Sequence, residues 1–103
     1  MIDSVLREDF MSGVRFSAPA KYYPGEVVGS SGKPWMGLAD GETNTIWLSK
    51  YTMGSRRNIA DTLIHEELHF RLASRHGIPL GQQAAYEDWV AARATRIIKR
   101  KGY

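Results

Sequence analysis

The chain contains no cysteine, which excludes disulfide bonds and thiolate metal sites. Any metal ion would therefore be held by histidine and carboxylate side chains. The chain also lacks an apolar run near the ~20 residues that a membrane-spanning helix needs. Its start, MIDSVLREDFMSG, carries charges where a secretory signal peptide has an uninterrupted apolar segment. We therefore expect a soluble, cytoplasmic protein with no membrane contact.

The length and composition fit one small domain that spans residues 1–103. Of the 103 residues, 43% are hydrophobic, which is enough for a single thin core. No internal repeat, low-complexity segment or long linker divides the sequence. We expect the domain to be a monomer.

Strand signals fill the first half of the chain and helical signals the second. A short helix is predicted within residues 1–12 and β structure within 14–50, where Asp40-Gly41 lies between two apolar-rich runs and predicts a hairpin. Helical spacing of apolar residues then runs from Asn58 to His76, followed by a glycine and a proline that end a helix. A second helix is predicted from Leu80 to Lys101. This order predicts an α+β fold with a small antiparallel or mixed sheet.

The first predicted long helix carries the pattern His-Glu-x-x-His at His65, Glu66 and His69. Residues four apart lie on the same face of a helix, so both imidazoles can reach one zinc ion. Glu66 projects about 100° away from His65, where a carboxylate can take a proton from a zinc-bound water without being a ligand. The pattern therefore predicts a metal site.

A catalytic zinc site usually has a third protein ligand. His76 shares the face of the two histidines but lies about 10 Å beyond His69 along the axis, too far to bind the same ion. Glu87 falls near the centre of the apolar face of the second helix, where an unpaired carboxylate would be costly. Ligation of the metal would remove that cost. Asp88, at the edge of the same face, is the alternative third ligand.

His-Glu-x-x-His in one helix, followed by a glutamate in the next, resembles the gluzincin zinc metallopeptidases over residues 44–98. The resemblance implies a zincin-like fold and a zinc ion held by His65, His69 and Glu87. It also implies hydrolysis of a peptide or protein substrate, with Glu66 accepting the proton of the attacking water and passing it to the leaving amine. The interval of seventeen residues between His69 and Glu87 is short for this family.

The segment NTIWLS, residues 44–49, is similar to the family's edge strand, which holds the substrate in extended form. By resemblance, the backbone of Asn44, Thr45, Ile46 and Trp47 would pair with substrate. The alternative is an ordinary hairpin strand with Ile46 and Leu48 in the core. Thr45 stands where the family usually has alanine.

Other roles are left open. Asp61 would orient an imidazole or serve the start of the helix. The candidates for stabilising the oxyanion are Tyr22, Tyr23, Tyr51, His76, Tyr86 and Tyr103. Basic residues are concentrated in the second predicted helix at Arg93, Arg96, Lys99, Arg100 and Lys101. They predict either a solvated helix face or a weak nucleic-acid contact. A nucleic-acid contact would suit a DNA-associated or toxin-like protease. A non-catalytic zinc-binding module is the remaining alternative.

Overall fold

The structure is a computed structural model that describes residues 2–6, 13–25, 32 and 34–102. The elements, in chain order, are α1 (Ile2–Leu6), β1 (Ala20–Tyr22), β2 (Gly37–Asp40), β3 (Thr45–Leu48), α2 (Arg56–His76), two single 3-10 turns (Leu80–Gln82 and Ala84–Tyr86) and α3 (Glu87–Arg100). Within these described ranges the strands precede the two long helices. The predicted α+β class is therefore confirmed.

The three strands form one mixed sheet in the order β1-β3-β2. β1 runs parallel to β3, whereas β2 runs antiparallel to it. The predicted hairpin joins β2 to β3, and the Asp40 carboxylate accepts hydrogen bonds from the Glu42 N–H and the Thr43 hydroxyl at 3.0 and 2.8 Å. Asn44 closes this loop with φ 50°, a left-handed conformation that asparagine tolerates. Residues 14–17, expected to be β structure, form no strand, and residues 26–31 lie outside the described part.

One face of the sheet packs against α2, and the core lies between them. Ile46 and Leu48 of β3 point into it and are fully buried, because alternate side chains of a strand face the same side. Buried partners come from α1, α2 and α3: Val5, Ile59, Leu63, Ala94 and Ile98. None of the helices in the described ranges is long and apolar enough to cross a bilayer.

α2 begins at Arg56, two residues before the predicted Asn58, and ends at His76 as predicted. The Ser55 hydroxyl accepts the N–H of Asn58 at 3.0 Å and caps the start. Gly77 ends the helix with φ 67°, and the N–H groups of Gly77 and Ile78 both donate to the Leu72 carbonyl. Hydrogen bonds therefore close both ends of the helix that carries the His-Glu-x-x-His segment.

The second long helix begins later than predicted. The segment from Leu80 to Tyr86 forms two tight turns closed by i→i+3 hydrogen bonds, from Gln82 to Pro79 at 2.8 Å and from Tyr86 to Gln83 at 2.9 Å. Helical spacing of apolar residues does not distinguish such turns from α-helix over so short a stretch. α3 therefore starts at Glu87, which makes this residue part of its first turn.

A buried carboxylate fastens the segment before β1 to α2. Glu67 is only 2% exposed and accepts hydrogen bonds from the Ser17 N–H and hydroxyl at 2.5 and 2.6 Å. Arg71, one turn further on, donates its Nε–H to the same carboxylate at 2.8 Å and its Nη2–H to the Arg15 carbonyl at 3.0 Å. The charge on Glu67 is therefore neutralised and hydrogen-bonded, as a buried ion requires.

Candidate metal centre

The two histidines of the motif lie side by side on the cleft face of α2. Their ring centroids are 5.1 Å apart, as expected for residues one turn apart on a helix. The side chain of His65 is 24% exposed and that of His69 is 12% exposed. Both rings can therefore be reached from the cleft while the helix holds them in place.

Glu87 meets both imidazoles. Its Oε1 lies 2.9 Å from His65 Nε2 and 2.8 Å from His69 Nε2. Burial acts to raise the pKa of the Glu87 carboxyl, but the hydrogen bonds with the two rings outweigh burial and hold this pKa below its usual value. The three side chains predicted to hold a metal are thus brought together.

The donor set fits a zinc ion. One ligand atom from each of His65, His69 and Glu87 lies within 4.8 Å of the other two. Among the described residues, no other three His, Cys, Asp or Glu side chains come together in this way. Neighbouring donors of a tetrahedral zinc ion are about 3.3 Å apart, given bond lengths of about 2.0–2.1 Å. Two imidazole nitrogens and one carboxylate oxygen are the donors of many zinc hydrolases, and they leave a fourth position free.

The burial expected for Glu87 is not found, because its side chain is 50% exposed. Val90, Ala94 and Ile98 continue the stripe that begins at Glu87, and these three are buried. Ala91, expected on the same face, is exposed. Glu87 thus lies where the buried stripe of α3 reaches the cleft, and its partners are the two histidines rather than apolar side chains.

Glu66 lies beside the three converging side chains and is only 7% exposed. Burial raises the pKa of its carboxyl, and the nearby Glu87 acts in the same direction. His65 and His69 oppose this rise, as does a hydrogen bond from the Ala39 backbone N–H. A carboxylate with a raised pKa and a position next to the metal donors is suited to accept a proton.

β2 comes very close to α2 at Glu66. A Cβ atom added to Gly37 would lie 2.5 Å from Thr62 Cγ2 and 3.1 Å from Glu66 Oε2. The absence of a side chain at Gly37 therefore lets the strand approach the helix closely enough for the Ala39 N–H to reach the Glu66 carboxylate.

The strand predicted to pair with substrate is not at an edge of the sheet. β3 lies between β1 and β2 and is hydrogen-bonded on both sides. Thr45 and Ile46 are buried, Trp47 pairs with both neighbouring strands, and Asn44 belongs to the hairpin loop. The expected edge position was wrong because the parallel partner, β1, comes from a distant part of the chain.

The free edge beside the candidate metal donors belongs to β2. The Ser49 N–H donates to the Met36 carbonyl at 3.0 Å, so Met36 and Ser49 form a hydrogen-bonded pair of the antiparallel ladder. Such pairs alternate along the strands, so the backbone N–H and C=O groups of Gly37 and Ala39 point away from β3. The Ala39 N–H that reaches Glu66 is one of these outward groups.

β2 and α2 form opposite walls of a cleft of about 510 Å³. Trp35, Met36 and Leu38 line the strand side, and His65, Glu66 and His69 line the helix side together with Asn58, Asp61 and Thr62. Leu80, Gln83, Ala84 and Glu87 line the end formed by the 3-10 turns and α3. The candidate metal donors therefore open into this cleft.

Asp61 lines the same cleft, one turn before His65. Its Oδ1 is buried without a hydrogen-bond partner, so it does not orient an imidazole through that atom. Burial raises the pKa of the Asp61 carboxyl, while His65 and Arg57 act to lower it. Asp88 is exposed and does not belong to the converging group, which places Glu87 and not Asp88 beside the two histidines.

The other predicted residues lie away from the cleft. None of the oxyanion candidates that the structure describes lines it, and Tyr103 is outside the described part. His76 is exposed at the end of α2. Arg93, Arg96, Lys99 and Arg100 are exposed on α3. The nucleic-acid contact stays a prediction.

Two features of the site were missed from the sequence: the edge position of β2 and the role of Gln83. Gln83 is 2% exposed, and its amide oxygen lies 2.6 Å from His69 Nδ1. Its amide nitrogen donates to the carbonyls of His69 and Ile78 at 3.0 and 2.7 Å. The sequence does not indicate that a glutamine in a predicted helix will contact a histidine, because its hydrogen-bond partners depend on the turns on either side of it.

No protein-family model, no curated protein and no solved structure matches the chain. The resemblance to gluzincins stays a prediction from the sequence motif.

Proposed function

We propose that the protein is a zinc-dependent metallopeptidase with a zincin-like arrangement of the gluzincin type. The observation that carries the proposal is the convergence of His65 Nε2, His69 Nε2 and Glu87 Oε1, with the buried carboxylate of Glu66 beside them. Three donors of this kind leave a position for water, and a free carboxylate next to them is not needed by a purely structural zinc site.

The residues would divide the work as follows. Zinc bound by His65, His69 and Glu87 would supply a Lewis acid for water and for a peptide carbonyl. Glu66 would accept the proton of the attacking water and deliver it to the leaving amine, a role that its burial and raised pKa favour. The cleft walls would exclude competing water from the scissile bond.

An extended peptide would lie along β2. The outward N–H and C=O of Gly37 and the outward C=O of Ala39 offer the hydrogen bonds of a strand edge, since the Ala39 N–H is already bonded to Glu66. Trp35, Met36 and Leu38 offer apolar contacts on the same wall. This position replaces the one expected on β3. It also places the middle of the peptide opposite Glu66 and the metal donors.

The first test is zinc binding by the chelator-treated protein, measured by competition with a metal-binding dye and by elemental analysis. We expect one zinc ion per chain for the wild type and for Asp88→Ala, whose carboxylate is the matched neighbour of Glu87. Glu87→Ala should bind zinc at least about tenfold more weakly, because it loses one of three protein ligands. A folded wild-type protein that takes up no zinc would contradict the proposal.

The second test separates a peptidase from a non-catalytic zinc module. The zinc-loaded protein is incubated with a random library of unfolded peptides, and new termini are detected by mass spectrometry. We expect cleavage by the wild type, loss of cleavage on adding a chelator, and a loss of about 10²-fold or more in Glu66→Gln with zinc binding retained. Zinc binding without any cleavage, or cleavage unaffected by Glu66→Gln, would favour the module over the peptidase.

A further inference from the structure

Gln83 is buried between the two 3-10 turns, and its hydrogen bonds fix the orientation of its amide. The two N–H groups of this amide are both used, one toward the His69 carbonyl and one toward the Ile78 carbonyl. A flipped amide would place its oxygen against these two carbonyl oxygens, which is repulsive. The amide oxygen must therefore be the atom that faces His69 Nδ1 at 2.6 Å.

This contact determines where His69 carries its proton. An amide oxygen can only accept, so Nδ1 must be the donor. A neutral imidazole has one N–H group, and with Nδ1 protonated its Nε2 keeps a lone pair. Glu87 Oε1 lies 2.8 Å from this Nε2, so a proton or a metal cation shared between the two atoms would join them. Two acceptors at this distance repel each other unless a proton or a metal cation lies between them.

The same amide positions Glu87. It donates one hydrogen bond to the His69 carbonyl in α2 and one to the Ile78 carbonyl after α2, and so links the segment after the helix to the helix itself. The Gln83 carbonyl then accepts the Tyr86 N–H at 2.9 Å in the last turn before α3 begins at Glu87. One buried side chain therefore sets both the ring of one metal ligand and the path of the chain to the next.

We infer that Gln83 is a positioning residue, which holds His69 as the Nδ1–H tautomer and so directs an Nε2 lone pair to the metal position. The proton on Nδ1 follows from the hydrogen bonds of Gln83; only its consequence for zinc rests on the proposed function. His65 provides a contrast, because its Nδ1 has no hydrogen-bond partner within the described ranges. The tautomer of His65 is therefore not fixed in this way.

The test reads the tautomer directly in the chelator-treated protein. Long-range ¹H–¹⁵N spectra of the ¹⁵N-labelled chain are recorded near about pH 9, where ordinary imidazoles with a pKa of about 6.5 are neutral. The chain has three histidines, and the exposed His76 serves as an internal reference. We expect the proton of His69 on Nδ1, and the mixture of tautomers typical of a free ring for His76.

Two variants complete the test. Gln83→Met keeps a similar volume but removes the acceptor, so His69 should lose the Nδ1–H preference and zinc affinity should fall about 10–100-fold. Gln82→Met makes the same change at the exposed neighbouring glutamine and should alter neither.

The outcomes separate the two proposals. A neutral His69 with its proton on Nε2 and none on Nδ1 in the wild type would overturn the inference, whether or not zinc binds. So would a folded Gln83→Met protein with unchanged tautomer and zinc affinity. If Gln83→Met does not fold, the wild-type spectrum decides. An Nδ1–H tautomer in a protein that binds no zinc would support the inference and contradict the proposed function.

Discussion

Replacing Gly37 by alanine should push β2 away from α2. The added Cβ would lie 2.5 Å from Thr62 Cγ2, about 1 Å closer than the usual separation of about 3.5–4.0 Å between carbon atoms in contact. It would also lie 3.1 Å from Glu66 Oε2 and 3.2 Å from Glu66 Cγ. Thr62 and Glu66 are both buried on a helix held at both ends, so the strand has to move.

The size of the effect follows from this overlap. Overpacking by one methyl group typically costs about 1–3 kcal/mol, and the close contact places Gly37→Ala in this range. In a domain of this size the melting temperature falls by about 4–8 °C for each kcal/mol. Thermal and urea unfolding measure the change. Gly54→Ala is the matched control, because no atom lies within 4 Å of the added Cβ and its backbone is not left-handed. We expect the control to be neutral or slightly stabilising.

A double-mutant cycle tests the cause. Thr62→Ser removes the Cγ2 methyl that the new Cβ would strike, so Gly37→Ala should cost less in that background, with a coupling free energy of about 0.5–3 kcal/mol. Equal stability of Gly37→Ala and Gly54→Ala would mean that the added Cβ does not push β2 away from α2. The reasoning is also refuted if Gly37→Ala costs the same with and without the Thr62 methyl group.

Two further predictions concern carboxylates away from the metal donors. Glu67→Gln should lower the free energy of unfolding by about 2–3 kcal/mol in urea titrations, because the donors of Ser17 and Arg71 lose a charged acceptor. The same change at an exposed glutamate should alter this free energy by no more than about 0.5 kcal/mol. The Thr43 hydroxyl is the largest influence holding the pKa of Asp40 below 3.8, so Thr43→Val should move the NMR titration midpoint of that carboxyl upward; an unchanged midpoint would contradict this. Because the folded pKa of Asp40 is lowered, the stability it contributes is present above about pH 3.8 and is lost as the pH falls through the folded value.

The parts of the fold that depend on local sequence could be predicted. α2 and its end at Gly77 follow from helical spacing and a glycine stop, and the hairpin follows from Asp40-Gly41 between apolar runs. The two histidines share a face because they are four residues apart. Glu87 was found through its position on the stripe of α3, although the burial that suggested it is only partial.

The parts that depend on distant pairing could not be predicted. β1 pairs with β3 across more than twenty intervening residues, and the local sequence of β3 contains no information about that partner. Because β1 pairs with one side of β3 and β2 with the other, β3 is the central strand and β2 has a free edge. The hydrogen bonds of Gln83 depend in the same way on tight turns that look helical in the sequence.

The hydrogen bond from Ala39 to Glu66 makes one part of the site unusually tolerant of mutation. The donor is a backbone N–H, which every amino acid except proline supplies. Side chains at position 39 can therefore vary over time, within the room that α2 allows, without removing the group that faces the Glu66 carboxylate. Gln83 has no such protection, since a single substitution removes its amide. We expect natural variation to spare Gln83 and Gly37 while it changes the identity of residue 39.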